Sequence, residues 1–130
     1  MSDEESGPLQ VIRRLHDAMN RRDLEAFASC FHEDYRSEQP VHPKRAFQGR
    51  GQVRKNWERI FENNQDFQAQ ILRQALVDNV VWTEWRWGGT RPDGQILAMA
   101  GVTLFAVERD RIVWGHYYME PVEAGGGNGG

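Results

Sequence analysis

The chain has 130 residues with a formal net charge of −3, which is the usual size of one domain with one core. Its 16 Lys and Arg and 19 Asp and Glu are interspersed, and this pattern argues against nucleic-acid binding, which needs clustered cations. Because no apolar run approaches the roughly 20 residues of a membrane helix and the acidic start does not resemble an export signal, we expect a soluble cytoplasmic protein that binds no membrane.

The N-terminal third predicts two helices. Ser6 and Pro8 resemble a cap and a first-turn proline, and the helical spacing of apolar residues that follows predicts a first helix at residues 8–20. Asp23 is placed to cap a second helix. The apolar residues of this second helix recur at i, i+3, i+4 and i+7 as Leu24, Phe27, Ala28 and Phe31. We expect the two helices to form a tight antiparallel pair.

Residues 32–48 contain two prolines and no sustained period, so they are predicted to be a long connection with one short strand near Tyr35. Two glycines then precede a third helix at residues 52–63. The predicted inner face of this helix consists of Val53, Trp57, Ile60 and Phe61. Cys30, which lies on the apolar face of the second helix, is interpreted as a buried structural thiol rather than a nucleophile.

From Phe67 onward the apolar residues alternate with a period of two, which predicts three or four strands. Residues 91–94 (Arg-Pro-Asp-Gly) and residues 108–110 provide turns between successive strands. The expected arrangement is an antiparallel meander. The termini, residues 1–7 and 123–130, are expected to be flexible, which leaves one domain at residues 8–122.

Both alternating sets of residues in the later strands contain large apolar side chains. On the strand from Trp82 to Trp87, the pattern leaves open which set faces the interior. A sheet that is apolar on both faces buries one face under helices, and we expect the other face to pack against a second copy of the chain. The sequence therefore predicts a homodimer through the outer sheet face.

The order of these elements, with several local motifs, resembles the nuclear transport factor 2-like superfamily, in its SnoaL-like polyketide cyclase and ketosteroid isomerase-like branch. The motifs are residues 20–26 (NRRDLEA), 47–51 (FQGRG), 85–90 (WRWGGT), 110–113 (DRIV) and 117–121 (YYMEP). The resemblance implies an α+β fold in which a cone-shaped, curved antiparallel sheet carries three N-terminal helices over its concave face. It also implies a pocket between the two layers and frequent dimerisation through the outer face.

The catalytic residues of ketosteroid isomerases are not found at the corresponding positions. The substrate-binding Tyr falls near Leu15, the base Asp near Gln39 and the second donor Asp near Gly101. An isomerase of that type would have neither its base nor its oxyanion hole. The Asp-Arg-Asp arrangement of the epoxide hydrolases cannot be assembled either.

If the register of the isomerases holds, two strands face the pocket with residues 99, 101, 103 and 105 and with residues 113, 115, 117 and 119. Such a lining suits a flat hydrophobic ligand whose orientation is set by a few polar contacts. The predicted ligand-binding residues are Trp85, Trp87, Met99, Thr103, Phe105, Tyr117, Met119 and Glu120. The alternative is a filled core in which Met occupies irregular gaps.

Three residues are candidates for catalysis. His16 lies beside core positions of the first helix and could exchange protons near neutral pH, the alternative being a half-exposed surface histidine. Glu38 and Glu120 are expected near the pocket mouth, where burial would raise the pKa of either, the alternative being a solvated charge. Tyr117 completes the catalytic set of His16, Glu38 and Tyr117. His116 is expected on the dimer side.

No metal or other cofactor is expected. Residues 32–34 (His-Glu-Asp) lack the spacing of metal ligands, and residues 49–51 (Gly-Arg-Gly) lack the lysine and length of a phosphate-binding loop. The leading hypothesis is a protein that binds a small hydrophobic metabolite and catalyses a cyclisation, isomerisation or dehydration without a cofactor. The alternative is a non-catalytic dimer that binds a ligand or another protein.

Overall fold

The computed structural model describes residues 7–123. Of the two segments that we expected to be flexible, residues 1–6 and 124–130 lie outside this range. The described elements are α1 (Gly7–Arg21), α2 (Leu24–Ala28), β1 (Phe31–Glu38), a short 3-10 helix (Pro43–Arg45), β2 (Phe47–Gln48), α3 (Arg50–Asn63), β3 (Gln68–Val77), β4 (Val80–Thr90), β5 (Ile96–Glu108) and β6 (Arg111–Pro121). None of the described helices is long and apolar enough to cross a membrane.

The strands form one sheet in the order β2-β1-β6-β5-β4-β3. Strands β3 to β6 pair as the predicted antiparallel meander. The α+β class with three N-terminal helices and a largely antiparallel sheet is thus confirmed; the one departure from the expected pattern is β1, which runs parallel to β6. This pairing joins the first strand to the last, and apolar periodicity carries no information about such distant partners.

The second helix is shorter than predicted. Asp23 caps it as expected, its Oδ1 accepting from the Ala26 N–H at 3.1 Å. The helix ends at Ala28, however, and Phe31 begins β1 instead of continuing the helical face. The Ile112 N–H donates to the Cys30 carbonyl at 2.8 Å, so pairing with β6 starts immediately after the helix. The predicted long connection at residues 32–48 accordingly begins with an eight-residue strand.

The inner face of β4 carries Trp85 and Trp87, while Trp82 faces outward, which answers the question that the sequence left open. The helices cover this inner face and enclose an aromatic core with it. The Trp85 indole N–H donates to the Thr103 hydroxyl at 2.8 Å within that core. Cys30 is buried as predicted, and burial raises the pKa of its thiol.

Helix α1 is fastened to the start of the edge strand β3. The Asn20 side chain accepts from the Ala69 N–H at 2.6 Å and donates to the Ala69 carbonyl at 3.0 Å. Arg22 adds a bond to the Phe67 carbonyl at 2.8 Å. These side chains satisfy backbone groups of an edge strand that would otherwise be open to pairing with another chain.

Gly101 of β5 lies against the backbone of β6. Its φ is 154°, and a Cβ atom at this position would collide with the Tyr118 carbonyl oxygen and stand 2.8 Å from the Met119 Cα. The backbone of β6 therefore leaves no room for a side chain at this position. Glycine is required here by the backbone contact.

We expect Gly101→Ala to lower the free energy of unfolding by about 3 kcal/mol or more, because either the β5–β6 pairing or the backbone must be distorted. Urea denaturation followed by tryptophan fluorescence measures the loss. Gly51→Ala in α3 is the matched control: no atom lies within 4 Å of its added Cβ, so stability should be unchanged or slightly higher. Equal stability of the two variants would contradict the close approach.

Candidate ligand-binding site

A cavity of about 190 Å³ lies between α3, the inner face of the sheet and the segment that follows β1. Its volume is slightly larger than the roughly 150 Å³ of an engineered apolar cavity that binds benzene, so it suits a molecule with about one ring. The lining side chains come from β1, β2, α3, β4, β5, β6 and the connection between β1 and β2. They are Ser37, Gln39, Arg45, Phe47, Val53, Asn56, Trp57, Ile60, Trp87, Met99, Tyr117 and Met119.

The aromatic wall of the cavity is held by edge-to-face contacts. The rings of Trp57 and Trp87 lie 5.3 Å apart at 76°, and Phe67 packs edge-on against Trp57 at 5.6 Å. Aromatic pairs in this geometry add to the energy of burial and fix the rings in place. One side of the cavity is therefore a firm apolar surface.

Tyr117 lines the cavity, and Tyr35 lies buried beside it under Gly115. Burial raises the pKa of Tyr35 to about 12, although the neighbouring Ser37 and Tyr117 hydroxyls lower it. Burial, and then the proximity of Tyr35, raise the pKa of Tyr117 well above its usual value. Both hydroxyls are therefore neutral at physiological pH, where they can donate hydrogen bonds but cannot serve as bases.

The polar side chains at the mouth of the cavity are Gln39, Arg45 and Asn56. Arg45 Nη1 donates to Gln39 Oε1 at 3.2 Å. On α3, the Gln52 side-chain amide donates to Asn56 Oδ1 at 2.8 Å. The mouth is therefore polar and the walls apolar, as in most sites for small molecules.

The predicted ligand-binding residues divide into three groups. Trp87, Met99, Tyr117 and Met119 line the cavity. Trp85, Thr103 and Phe105 are fully buried in the core beneath it, and Phe105 contacts the Tyr117 ring edge-on at 5.5 Å. Glu120 is exposed outside the cavity and binds His42 at 2.7 Å.

The three residues predicted to be catalytic are not brought together. Only Tyr117 lies in the cavity. His16 faces a groove between α1 and the start of β3, where its Nε2 donates to the Ala69 carbonyl at 2.8 Å. Glu38 lies on the outer face, 3.2 Å from His116.

The expectation that Glu38 and Glu120 stand at the pocket mouth was wrong for one physical reason. Neighbouring residues of a strand point to opposite faces. Ser37 and Met119 point into the cavity, so the glutamate that follows each of them points outward. His116 also faces outward, as predicted, between Gly115 and Tyr117.

The sequence interpretation missed several residues of the site. Val53, Trp57 and Ile60 were placed on the inner face of the third helix but assigned to a core. Asn56 falls at the same helical spacing, and a polar residue on that face was a signal that could have identified it. Arg45 gave no comparable signal because it lies outside the longer elements.

Within residues 7–123, no group of three or more His, Cys, Asp or Glu side chains is arranged to hold a metal ion.

Comparison with solved structures gives fold relatives of low sequence identity. A putative SnoaL-like polyketide cyclase from Shewanella putrefaciens CN-32 matches with a TM-score of 0.75 and 15% identity, over 89% of this chain and 81% of that one. An LEH-like epoxide hydrolase of M. tuberculosis matches with a TM-score of 0.75 and 15% identity, over 88% and 83%. A protein with a ketosteroid isomerase-like fold from Catenulispora acidiphila DSM 44928, in complex with trimethylamine, matches with a TM-score of 0.68 and 18% identity, over 84% and 85%.

A search of curated proteins finds no match. The sequence profile of the SnoaL-like domain matches residues 12–114, which is most of the chain: it covers the greater part of α1 and all elements from α2 to β5, and it ends early in β6. The chain therefore belongs to the SnoaL-like domain family and has its nuclear transport factor 2-like fold.

Proposed function

We propose that the protein binds one small, compact, largely apolar molecule in the cavity between α3 and the sheet. The observation that carries this proposal is the lining itself: aromatic, aliphatic and Met side chains form the walls, and the polar side chains are Ser37 and Tyr117 with Gln39, Arg45 and Asn56 at the mouth. Such a site holds a ligand by apolar burial and orients it by a few hydrogen bonds.

The lining favours binding over proton abstraction. Among the described residues that line the cavity, none is Asp, Glu or His. A general base needs a pKa near the working pH, whereas the pKa of Tyr117 is raised far above it. The site therefore offers hydrogen-bond donors to an acceptor group of the ligand.

The second candidate is an enzyme that works without a cofactor, by cyclisation, isomerisation or dehydration. The neutral Tyr117 hydroxyl favours it, because a positioned donor polarises a carbonyl group and a confined cavity holds a substrate in a reactive conformation. The similar proteins described as a putative polyketide cyclase and an epoxide hydrolase are consistent with this candidate. Analysis of the bound molecule for conversion to product separates the two candidates.

We expect Met99→Trp to abolish binding of cyclohexanone, because the larger side chain fills the cavity. Ile96→Trp is the matched control, since Ile96 lies on the same strand but is 70% exposed. Chemical-shift perturbation measures binding, and circular dichroism verifies that both variants fold. Undiminished binding by a folded Met99→Trp protein would refute this location of the site.

We expect Tyr117→Phe to weaken cyclohexanone binding about five- to tenfold while leaving benzene binding nearly unchanged, because only the ketone accepts a hydrogen bond. The raised pKa of Tyr117 means that its hydroxyl stays protonated above pH 10, so the wild-type affinity for the ketone should be constant from pH 7 to about 10. A loss of affinity as pH approaches 10 would contradict a shielded, neutral donor.

We also propose that the outer face of the sheet packs against a second copy of the chain. The strand register places Trp82 beside Leu104, and Val102 beside Tyr118. Trp82 and Tyr118 are 45% and 39% exposed, a large aromatic surface for an isolated domain.

Polar contacts flank this apolar stripe on both sides: the ion pair of Arg73 with Glu84 at 2.6 Å, and the contact of His116 with Glu38 at 3.2 Å. An apolar centre with a polar rim is the usual composition of an interface between identical subunits. A two-fold axis through the stripe would pack the apolar centre of one subunit against the same surface of its partner.

We expect Trp82→Glu to convert a dimer into a monomer, because it places a charge in the centre of the apolar stripe. Val41→Glu is the control, since Val41 is 65% exposed but lies outside the sheet. Sedimentation velocity of both variants gives the mass. A wild-type protein that sediments as a monomer at tens of micromolar would contradict the proposed interface.

A further inference from the structure

The amide groups at the cavity mouth offer donors rather than acceptors. The acceptor oxygen of Gln39 is occupied by the Arg45 guanidinium, and that of Asn56 by the Gln52 amide. Within the described part of the chain, Gln39 Nε2 and Asn56 Nδ2 have no hydrogen-bond partner, so each amide keeps its donor side free for a ligand. A ligand group that fits this mouth must accept several hydrogen bonds.

Arg45 adds a positive charge that no carboxylate of the described residues neutralises. Its side chain contacts the neutral Gln39, and Glu120 of β6 is bound to His42 at 2.7 Å. Arginine is charged at all physiological pH values, and its planar fork matches a carboxylate with two parallel hydrogen bonds. The cavity therefore combines apolar walls with one unneutralised cation at its entrance.

The position of the charge is favourable for an anion. Arg45 is exposed and Gln39 half-buried, so an acidic group at the mouth keeps part of its hydration while the apolar part of the ligand enters the cavity. The anion thus avoids most of the cost of transferring a charge into an apolar interior. The volume of about 190 Å³ leaves room for one ring beside Trp57 and Trp87.

We infer that the ligand class of this cavity is the small alicyclic or aromatic carboxylic acids. The ring lies against Trp57 and Trp87, and the carboxylate faces Arg45 with the amide donors of Gln39 and Asn56. This inference rests on the proposed function, because it names the chemistry of the molecule that the cavity binds.

The test compares cyclohexanecarboxylate with cyclohexanecarboxamide, which has nearly the same shape but no charge. Isothermal titration at pH 7.5 and low ionic strength should show about tenfold tighter binding of the acid, and added salt should reduce the difference. Arg45→Gln should bring the acid to the affinity of the amide and leave the amide unchanged. Arg45→Lys should keep part of the preference for the acid, because lysine keeps the positive charge but lacks the planar guanidinium that forms two parallel hydrogen bonds.

Lys44→Gln is the matched control: it removes the same charge from the same 3-10 helix at a residue that does not line the cavity. It should keep the preference for the acid. Equal affinities of the wild-type protein for acid and amide, or an unchanged preference in Arg45→Gln, would overturn the inference while leaving the cavity proposal intact. Failure of the acid, the amide and cyclohexanone to bind would overturn both.

Discussion

The parallel pairing of β1 with β6 determines the shape of the site. It sets Ser37 beside Gly115, so that Ser37 points into the cavity and the connection after β1 crosses the cavity mouth. Gly115 makes the arrangement possible: a Cβ atom there would stand 2.6 Å from both the Tyr35 hydroxyl and the Phe105 ring. Without this pairing the inner face of β6 would be open on one side, and Arg45 would have no fixed position relative to α3.

Most of the fold could be predicted because its signals are local. The Asp23 cap and the turn at residues 91–94, where the Gly94 N–H donates to the Arg91 carbonyl at 2.8 Å, depend only on neighbouring residues. The parallel strand could not be predicted in the same way. Phe31 continues a helical spacing in the sequence, but the partner that draws it into a strand, Ile112, lies near the other end of the chain.

The cavity-lining residues that could be predicted are those on strands, where the alternation of side chains determines the face; residues outside the strands were missed. Alternation identified Met99 and Tyr117, which share the inner face. Glu38 was expected at the pocket because its segment was predicted to be a connection; it is in fact the last residue of β1, where it follows the inward-facing Ser37 and lies behind the sheet. Arg45 required the three-dimensional structure, since only the fold brings the short 3-10 helix to the cavity.

The alternation of side chains along each strand also places the two proposed functions of the sheet, ligand binding and association with a second copy, on opposite faces. Trp82 and Trp87 belong to one strand, yet one faces solvent on the outer side and the other lines the cavity. A second copy of the chain can therefore cover the outer face without closing the cavity mouth, which lies beside α3 and Arg45 on the opposite side. The sheet, with Trp85 and Thr103 hydrogen-bonded on its inner side, lies between the two surfaces, so a second copy on the outer face would not compete with a ligand in the cavity.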